Sequence, residues 1–263
     1  MMMNSDAVPR LMLGYDLDKW NLYGAKEPIS VDISPKTNSH ILLCGMSGAG
    51  KSYMGHQLLT RLILAEKGRK GEYYFADYKG DDTFSYLQSC PRFFTYKDSF
   101  TALDNVHARL LARQSGADTT RNPVTLIWDE YMAAALNFIS EDKKAASVML
   151  SKVSEILLLG RALSTRIASF CQRSDAIAFP AGSRLNYGVV CVLGAAVRSI
   201  YEMLLPDHME QVKGRQFDRG EGVVLLQGSE LRFIKVPMVR NEERMRQICM
   251  EALGGHRRPP CEA

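Results

Sequence analysis

The sequence predicts an α/β fold in which a mostly parallel β-sheet is covered by helices on both faces. Strand-like and helix-like segments alternate along most of the 263 residues. A glycine-rich run connects the first strong strand to the first strong helix, and a second apolar strand ends abruptly in two acidic residues. These observations favour one large domain built from strand-helix-strand units, with its functional side chains at the strand ends.

The individual elements follow from runs of apolar and β-branched residues separated by segments with helical periodicity. The strand candidates are Ile41–Cys44, Tyr73–Ala76, Val124–Trp128, Ile167–Cys171 and Tyr187–Leu193. The helix candidates are Lys51–Glu66, Ser99–Ser115, Lys143–Leu159, Ala196–Leu205 and Glu242–Leu253.

The glycine-rich run at residues 45–52 reads Gly-Met-Ser-Gly-Ala-Gly-Lys-Ser and follows the strand candidate Ile41–Cys44 directly. This order of strand, loop and helix predicts a phosphate-binding loop, with Lys51 reaching the β- and γ-phosphates and Ser52 offering its hydroxyl to Mg²⁺. ATP and Mg²⁺ are therefore the expected ligands. The predicted nucleotide-binding residues are Gly45, Met46, Ser47, Gly48, Ala49, Gly50, Lys51, Ser52 and Tyr53.

A second part of the same site is predicted where the strand Val124–Trp128 ends in Asp129 and Glu130. A carboxylate at the tip of a buried strand places Asp129 on the Mg²⁺ ion, and the adjoining Glu130 can act as the general base on the attacking water. The alternative is an acidic pair that only opens a helix at its favourable end.

Composition limits the class of protein. No apolar run reaches the length of a membrane span, and the N-terminus lacks the features of a signal peptide, so a cytoplasmic protein without membrane insertion is expected. The six cysteines form no C-x-x-C pair, which favours reduced, structural thiols. A net charge of +4 is compatible with a polyanionic partner and does not identify one.

The strand order suggests the additional-strand, RecA-like class of P-loop NTPases. In that class a further strand, with a polar sensor at its tip, separates the phosphate-loop strand from the acidic strand. Gln172, which follows the strand Ile167–Cys171, is suitably placed for that sensor. A polar strand end that simply enters a loop is the alternative.

Several motifs, taken in order, resemble the FtsK/SpoIIIE-type DNA translocases and their relatives in conjugative elements. The resemblance runs from about Leu13 to Cys249. Besides the phosphate loop, the matching segments are Leu13–Asp16, Glu27–Asp32, Asp77–Gly80, Gly160–Ala162, Cys171–Ser174, Asp218–Leu225 and Glu230–Pro237.

The resemblance implies an ATP-hydrolysing motor that moves double-stranded DNA without sequence preference, for a plasmid, mobile element or conjugative transfer. It also implies a homo-hexameric ring and a C-terminal β-hairpin, and it allows membrane-anchored or relaxase partner proteins. The expected organisation is a lead-in segment with a hairpin at residues 1–40, a motor domain at 41–253 and a disordered basic tail at 254–263.

An arginine finger from a neighbouring subunit is also implied, but the segment Asn186–Val190, which matches the family's finger segment best, contains no arginine. Arg184 and Arg198 flank it and are the candidates to act in trans, since no arginine of the chain's own site is apparent from the sequence. The candidate DNA-contacting residues are Lys143, Lys144, Lys152, Arg166 and Arg173, although the three lysines can equally be solvated residues of a helix face.

Two other classes of function remain open on the sequence. A phosphotransferase for a small substrate would have no use for Glu130. A nucleotide-gated adaptor would bind ATP and partner proteins without moving DNA, and the missing finger arginine keeps this alternative open.

Overall fold

The described residues form one ten-stranded sheet with helices packed on it. The structure is a computed structural model and describes residues 8–33, 40–80, 82–173 and 175–255. The strands are β1 (Arg10–Asp16), β2 (Pro28–Asp32), β3 (His40–Gly45), β4 (Glu72–Asp77), β5 (Phe93–Thr95), β6 (Val124–Asp129), β7 (Thr165–Cys171), β8 (Tyr187–Leu193), β9 (Glu221–Leu226) and β10 (Glu230–Lys235).

Eight α-helices lie within the described ranges. They are α1 (Leu17–Tyr23), α2 (Lys51–Ala65), α3 (Ser99–Gln114), α4 (Tyr131–Glu141), α5 (Lys143–Leu159), α6 (Arg198–Leu204), α7 (Met209–Val212) and α8 (Glu242–Ala252). None of these helices combines the length and the hydrophobicity needed to span a lipid bilayer. The five predicted helices are confirmed to within two residues at each end, whereas α4 is not among them.

The strand order is β2-β1-β10-β9-β8-β3-β7-β6-β4-β5. The six strands from β8 to β5 are parallel, and β9, β10, β1 and β2 extend the sheet in antiparallel fashion. Strand β7 lies between β3 and β6, as the additional-strand class requires, and β9 and β10 form the expected C-terminal hairpin. The predicted fold class is therefore confirmed.

Two hydrophobic cores cover the two faces of the sheet because side chains alternate along each strand. On β3, Leu42 and Cys44 face the core formed with α3, α4, α5 and α6, whereas Ile41 and Leu43 face the core formed with α2 and α8. Both faces of the parallel strands are therefore buried, which explains their nearly continuous apolar sequences. The five described cysteines are free and buried; Cys261 lies outside the described residues.

The structure corrects the interpretation of Arg166. This side chain is buried at the amino end of β7, where its Nη2 atom lies 2.9 Å from Oε1 of Glu66. The hydroxyl of Tyr73 donates a second hydrogen bond to the same carboxylate at 3.0 Å. Because a buried charge must be paired, Arg166 is part of the core and is not available to DNA phosphates.

The two chain ends are only partly described. Strands β1 and β2 pair with each other in antiparallel fashion, with α1 between them along the chain. Residues 1–7 and 34–39 of the predicted lead-in segment lie outside the described residues, as do residues 256–263 of the predicted tail.

Candidate active site

The phosphate loop connects the carboxyl end of β3 to the first turn of α2. Gly48 and Gly50 adopt φ angles of 83° and 94°, which side chains with a Cβ rarely tolerate. A Cβ at Gly50 would also lie only 3.3 Å from the backbone nitrogen of Gly220. No side chain caps the N-terminus of helix α2, where the first N–H groups of the helix face the loop. This arrangement fits a bound phosphate chain.

Three adjacent parallel strands bring the predicted catalytic side chains to one edge of the sheet. The register pairs Cys44 of β3 with Cys171 of β7, and β7 in turn pairs with β6. The residues that follow these strand ends are the phosphate loop, Gln172 and the Asp129-Glu130 pair. The thiol of Cys44 donates to the carbonyl of Gln172 at 3.6 Å, which ties two of the three strand ends together.

Lys51 and Gln172 both contact Glu130 at the centre of this edge. The Nζ atom of Lys51 donates to Oε1 of Glu130 at 2.9 Å, and Nε2 of Gln172 donates to the same oxygen at 3.2 Å. The side chains of Lys51 and Glu130 are each only 8% exposed. The structure thus brings together the predicted phosphate-binding lysine, general base and sensor.

Glu130 has a strained backbone. Its φ and ψ angles are 54° and 38°, in the left-handed region, at the point where β6 turns into α4. A non-glycine residue in such a conformation costs about 1 kcal/mol or more and is held there by its surroundings. In this conformation the glutamate accepts the hydrogen bond from Lys51.

Ser52 and Asp129 are the two residues that the sequence predicts as Mg²⁺ ligands. Both line the cavity beside the phosphate loop, and Asp129 is only 3% exposed. A hydroxyl and a carboxylate are the hard oxygen ligands that Mg²⁺ prefers, and in P-loop enzymes phosphates and water complete its octahedron. In the part of the chain that the structure describes, no group of three or more metal-ligating residues is found.

A cavity of about 370 Å³ surrounds these groups and contains several side chains to which sequence reasoning assigned no role. They are His56 on α2, Lys79 after β4, Arg219 before β9, and Glu242 and Arg246 on α8.

Lys79 and Arg219 fall within the motifs quoted above, so the sequence marked their segments as part of the resemblance. Only the strand order shows that both residues face the nucleotide site. Arg246 carried no comparable signal. The presence of Arg219 and Arg246 corrects the inference that the site has no arginine of its own.

His56 forms a neutral part of the cavity wall. Burial, and to a lesser extent the nearby charge of Arg246, lower the pKa of His56 to about 4. Its Nε2 atom lies 2.8 Å from the hydroxyl of Tyr86, over whose ring Arg246 is placed at 5.5 Å. At neutral pH the positive charge of this wall therefore comes from Lys79 and Arg246.

The two candidate finger arginines lie away from this cavity. Arg184 is half-buried in the 3₁₀ segment before β8, and burial lowers its pKa. Arg198 is exposed at the start of α6 and its Nε atom donates to Glu202 at 2.7 Å. Neither side chain lines the site of its own chain, so a role for either one would have to be in trans.

The remaining candidate DNA contacts differ in their availability. Lys143 and Lys144 are exposed in the first turn of α5. Lys152 is paired with Asp104 at 2.7 Å, and Arg173 lies 3.6 Å from Asp175. Lys143 and Lys144 are therefore exposed without an ion-pair partner among the described residues, unlike Lys152 and Arg173.

No protein-family model and no curated protein sequence matches the chain. Solved structures do match its fold. The cytoplasmic domain of the type VII secretion ATPase EccC from Thermomonospora curvata aligns at a TM-score of 0.67 and 18% identity, covering 97% of this chain and 33% of that one. The chain therefore spans about a third of the EccC chain.

Two further solved structures extend the comparison. The monomeric conjugation coupling protein TcpA of pCW3, solved with ATPγS, has a TM-score of 0.68 and 17% identity, over 94% of this chain and 71% of that one. The genome packaging NTPase B204 of Sulfolobus turreted icosahedral virus 2, in complex with AMP, has a TM-score of 0.51 and 16% identity, over 78% of this chain and all of that one. The chain therefore has the fold of P-loop, RecA-like ATPase domains.

Proposed function

We propose that this protein is an ATPase that uses Mg²⁺-ATP to move double-stranded DNA. The observation that carries the ATPase part is the contact of Lys51 and Gln172 with one oxygen of Glu130, beside a loop shaped for phosphates. A phosphate-binding lysine, a general base and a polar sensor are the parts that nucleotide hydrolysis needs.

Each side chain has a distinct task in this proposal. Lys51 binds the β- and γ-phosphates, while Ser52 and Asp129 hold Mg²⁺, which when bound neutralises charge on those phosphates. Glu130 orients the attacking water and accepts its proton, and the amide of Gln172 holds the Glu130 carboxylate in position. A phosphotransferase has no need of Glu130, so the geometry favours hydrolysis.

The first test compares substitutions that should produce different defects. Lys51→Ala removes a ground-state phosphate contact and should abolish hydrolysis together with most nucleotide binding. Glu130→Gln removes only the base and should bind ATP but turn it over very slowly, so that ATP stays trapped. Glu230→Gln, on the exposed hairpin, is the matched control. Equal turnover in Glu130→Gln and the unmodified protein would exclude Glu130 as the base.

Two observations support DNA as the polymer that the protein moves. TcpA is a conjugation coupling protein and B204 is a genome packaging NTPase, so two structures with this fold belong to proteins of conjugation and genome packaging. The exposed lysines at 143 and 144 offer phosphate contacts outside the nucleotide site. We propose further that the chain works as a hexameric ring in which Arg184 or Arg198 reaches the neighbouring site.

The second test measures ATP turnover against the concentration of duplex and single-stranded DNA at two salt levels. Duplex DNA of any sequence should stimulate turnover, and the stimulation should weaken steeply as salt rises. The logarithm of the DNA-binding constant should fall with the logarithm of the salt concentration, with a slope of about 0.9 for each phosphate that the protein neutralises. The double substitution Lys143→Ala/Lys144→Ala should weaken stimulation.

The matched control for that variant is Lys67→Ala/Lys70→Ala, which removes the same charge from exposed lysines on the connection between α2 and β4. Stimulation by single-stranded DNA alone would support a DNA-translocating ATPase that moves single strands and not duplexes. No stimulation by either form of DNA would refute the translocase and leave the nucleotide-gated adaptor.

A further inference from the structure

Arg219 occupies the side of the phosphate loop opposite the catalytic acids. The loop follows β3, and the sheet places β7 and β6 on one side of β3 and β8 and β9 on the other. Asp129 ends β6 and Glu130 follows it. Arg219 precedes β9, whose antiparallel direction brings its first residues to the same edge of the sheet, since Gly222 pairs with Leu193 at the end of β8.

The segment that carries Arg219 is bonded directly to the phosphate loop. The backbone nitrogen of Gly220 donates to the carbonyl of Ala49 at 2.9 Å. A Cβ placed on Gly50 would lie 3.7 Å from Cγ of Arg219, and the Arg219 side chain lines the nucleotide cavity. Arg219 is therefore held beside the phosphate loop by the backbone hydrogen bond of its neighbour Gly220, and its Cγ atom lies next to Gly50.

Arg219 is also available to an anion. Within residues 8–33, 40–80, 82–173 and 175–255, no hydrogen bond, ion pair or ring contact is made by its side chain. By contrast, Arg246 in the same cavity lies 3.9 Å from Glu242, and Arg215 makes two hydrogen bonds to Asp18. A guanidinium with five donors beside an uncapped helix N-terminus is well suited to bind phosphate oxygens.

We propose that Arg219 binds the α- and β-phosphates of the nucleotide within its own chain. Backbone N–H groups of a phosphate loop cradle the α- and β-phosphates, and Arg219 lies against Gly50 of that loop. Hydrolysis of the γ-phosphate belongs to the opposite side, where Glu130 contacts Lys51 and Gln172. Arg219 thus contacts the part of the nucleotide that ATP and ADP share. This inference rests on the proposed nucleotide binding and adds a phosphate-binding residue that lies outside the phosphate loop at residues 45–52.

The test compares the affinities for Mg²⁺-ATP and Mg²⁺-ADP, measured by calorimetry, with the kcat and KM for ATP. Because a hydrogen bond to a charged group is lost, Arg219→Ala should weaken ATP and ADP binding by about tenfold or more, and by similar factors. The loss should appear in Kd and KM, with a smaller change in kcat. Arg219→Lys, which keeps the charge, should recover part of the affinity.

The control is Arg240→Ala, which removes the same charge from an exposed arginine outside the cavity. Its affinities should match those of the unmodified protein, and thermal melts of all variants should coincide. A drop in kcat with unchanged ADP affinity would overturn the proposal and give Arg219 a role at the γ-phosphate. Equal affinities for Arg219→Ala and Arg240→Ala would overturn it as well. Absence of nucleotide binding by the unmodified protein would instead refute the proposed function, and the inference with it.

Discussion

The buried pair of Lys51 and Glu130 should be coupled strongly enough to measure without any nucleotide. Both side chains are 8% exposed and their charged atoms are 2.9 Å apart. At an effective dielectric constant of about 20, the gross attraction over this distance is about 6 kcal/mol, most of which offsets the desolvation of the two charges. Removing one partner leaves the other charge buried.

The perturbation is Lys51→Met, which deletes the ammonium and keeps most of the side-chain volume. We expect it to lower the free energy of unfolding by about 3 to 5 kcal/mol, because the Glu130 carboxylate then retains only the amide of Gln172. The double variant Lys51→Met/Glu130→Gln contains no buried charge at this point. It should lose much less stability than the two single variants added together.

The assay is urea unfolding followed by circular dichroism for the unmodified protein, both single variants and the double variant. The control cycle uses Lys97 and Glu141, whose charged atoms are 3.0 Å apart but whose side chains are 57% and 49% exposed. That pair should couple by at most about 1 kcal/mol. Additivity within about 0.5 kcal/mol at Lys51 and Glu130 would refute the reasoning.

Three further predictions follow from the same structure. Burial lowers the pKa of His56 to about 4 and that of His40 to about 3, from 6.5. The unfolded chain therefore binds more protons below pH 6.5, and each histidine should cost about 2 kcal/mol of stability by pH 5; equal urea midpoints at pH 7.5 and pH 5 would contradict this. Asp129→Asn should weaken binding of Mg²⁺-ATP much more than binding of ATP in EDTA, measured by calorimetry. If Arg184 completes a neighbouring site, the Arg184→Ala protein should be inactive alone, and mixing it with Lys51→Ala protein should restore part of the ATPase rate; full activity of Arg184→Ala alone would contradict this.

The sequence predicts the centre of the site well because its parts follow strand ends. Asp129, Glu130 and Gln172 come directly after apolar runs, and Lys51 ends the glycine-rich loop that follows another one. Parallel strands that are neighbours in a sheet bring their carboxyl ends together. Their mutual contacts therefore required only the correct strand order. The left-handed turn at Glu130 is a local detail that no sequence pattern indicated.

Long-range pairing explains what the sequence did not predict. Arg219 reaches the phosphate loop only because β9 joins the sheet beside β8, and Arg246 reaches the cavity only because α8 packs on α2. Arg166 was misassigned for the same reason, since its partner Glu66 lies 100 residues earlier in the chain. Periodicity predicts which residues form a strand, but it does not show which distant strand or charge lies next to them.

Among the residues that the structure describes, the two outermost strands of the sheet limit how copies of this chain can pair through their backbones. At one edge β2 has five residues and begins with Pro28, which has no N–H to donate, and at the other edge β5 has only three residues. Edges this short offer an incoming strand little backbone to pair with. Any ring of these subunits is therefore expected to be held together by side chains of helices and loops. Such contacts can slide and re-form, which a continuous intermolecular sheet would not permit.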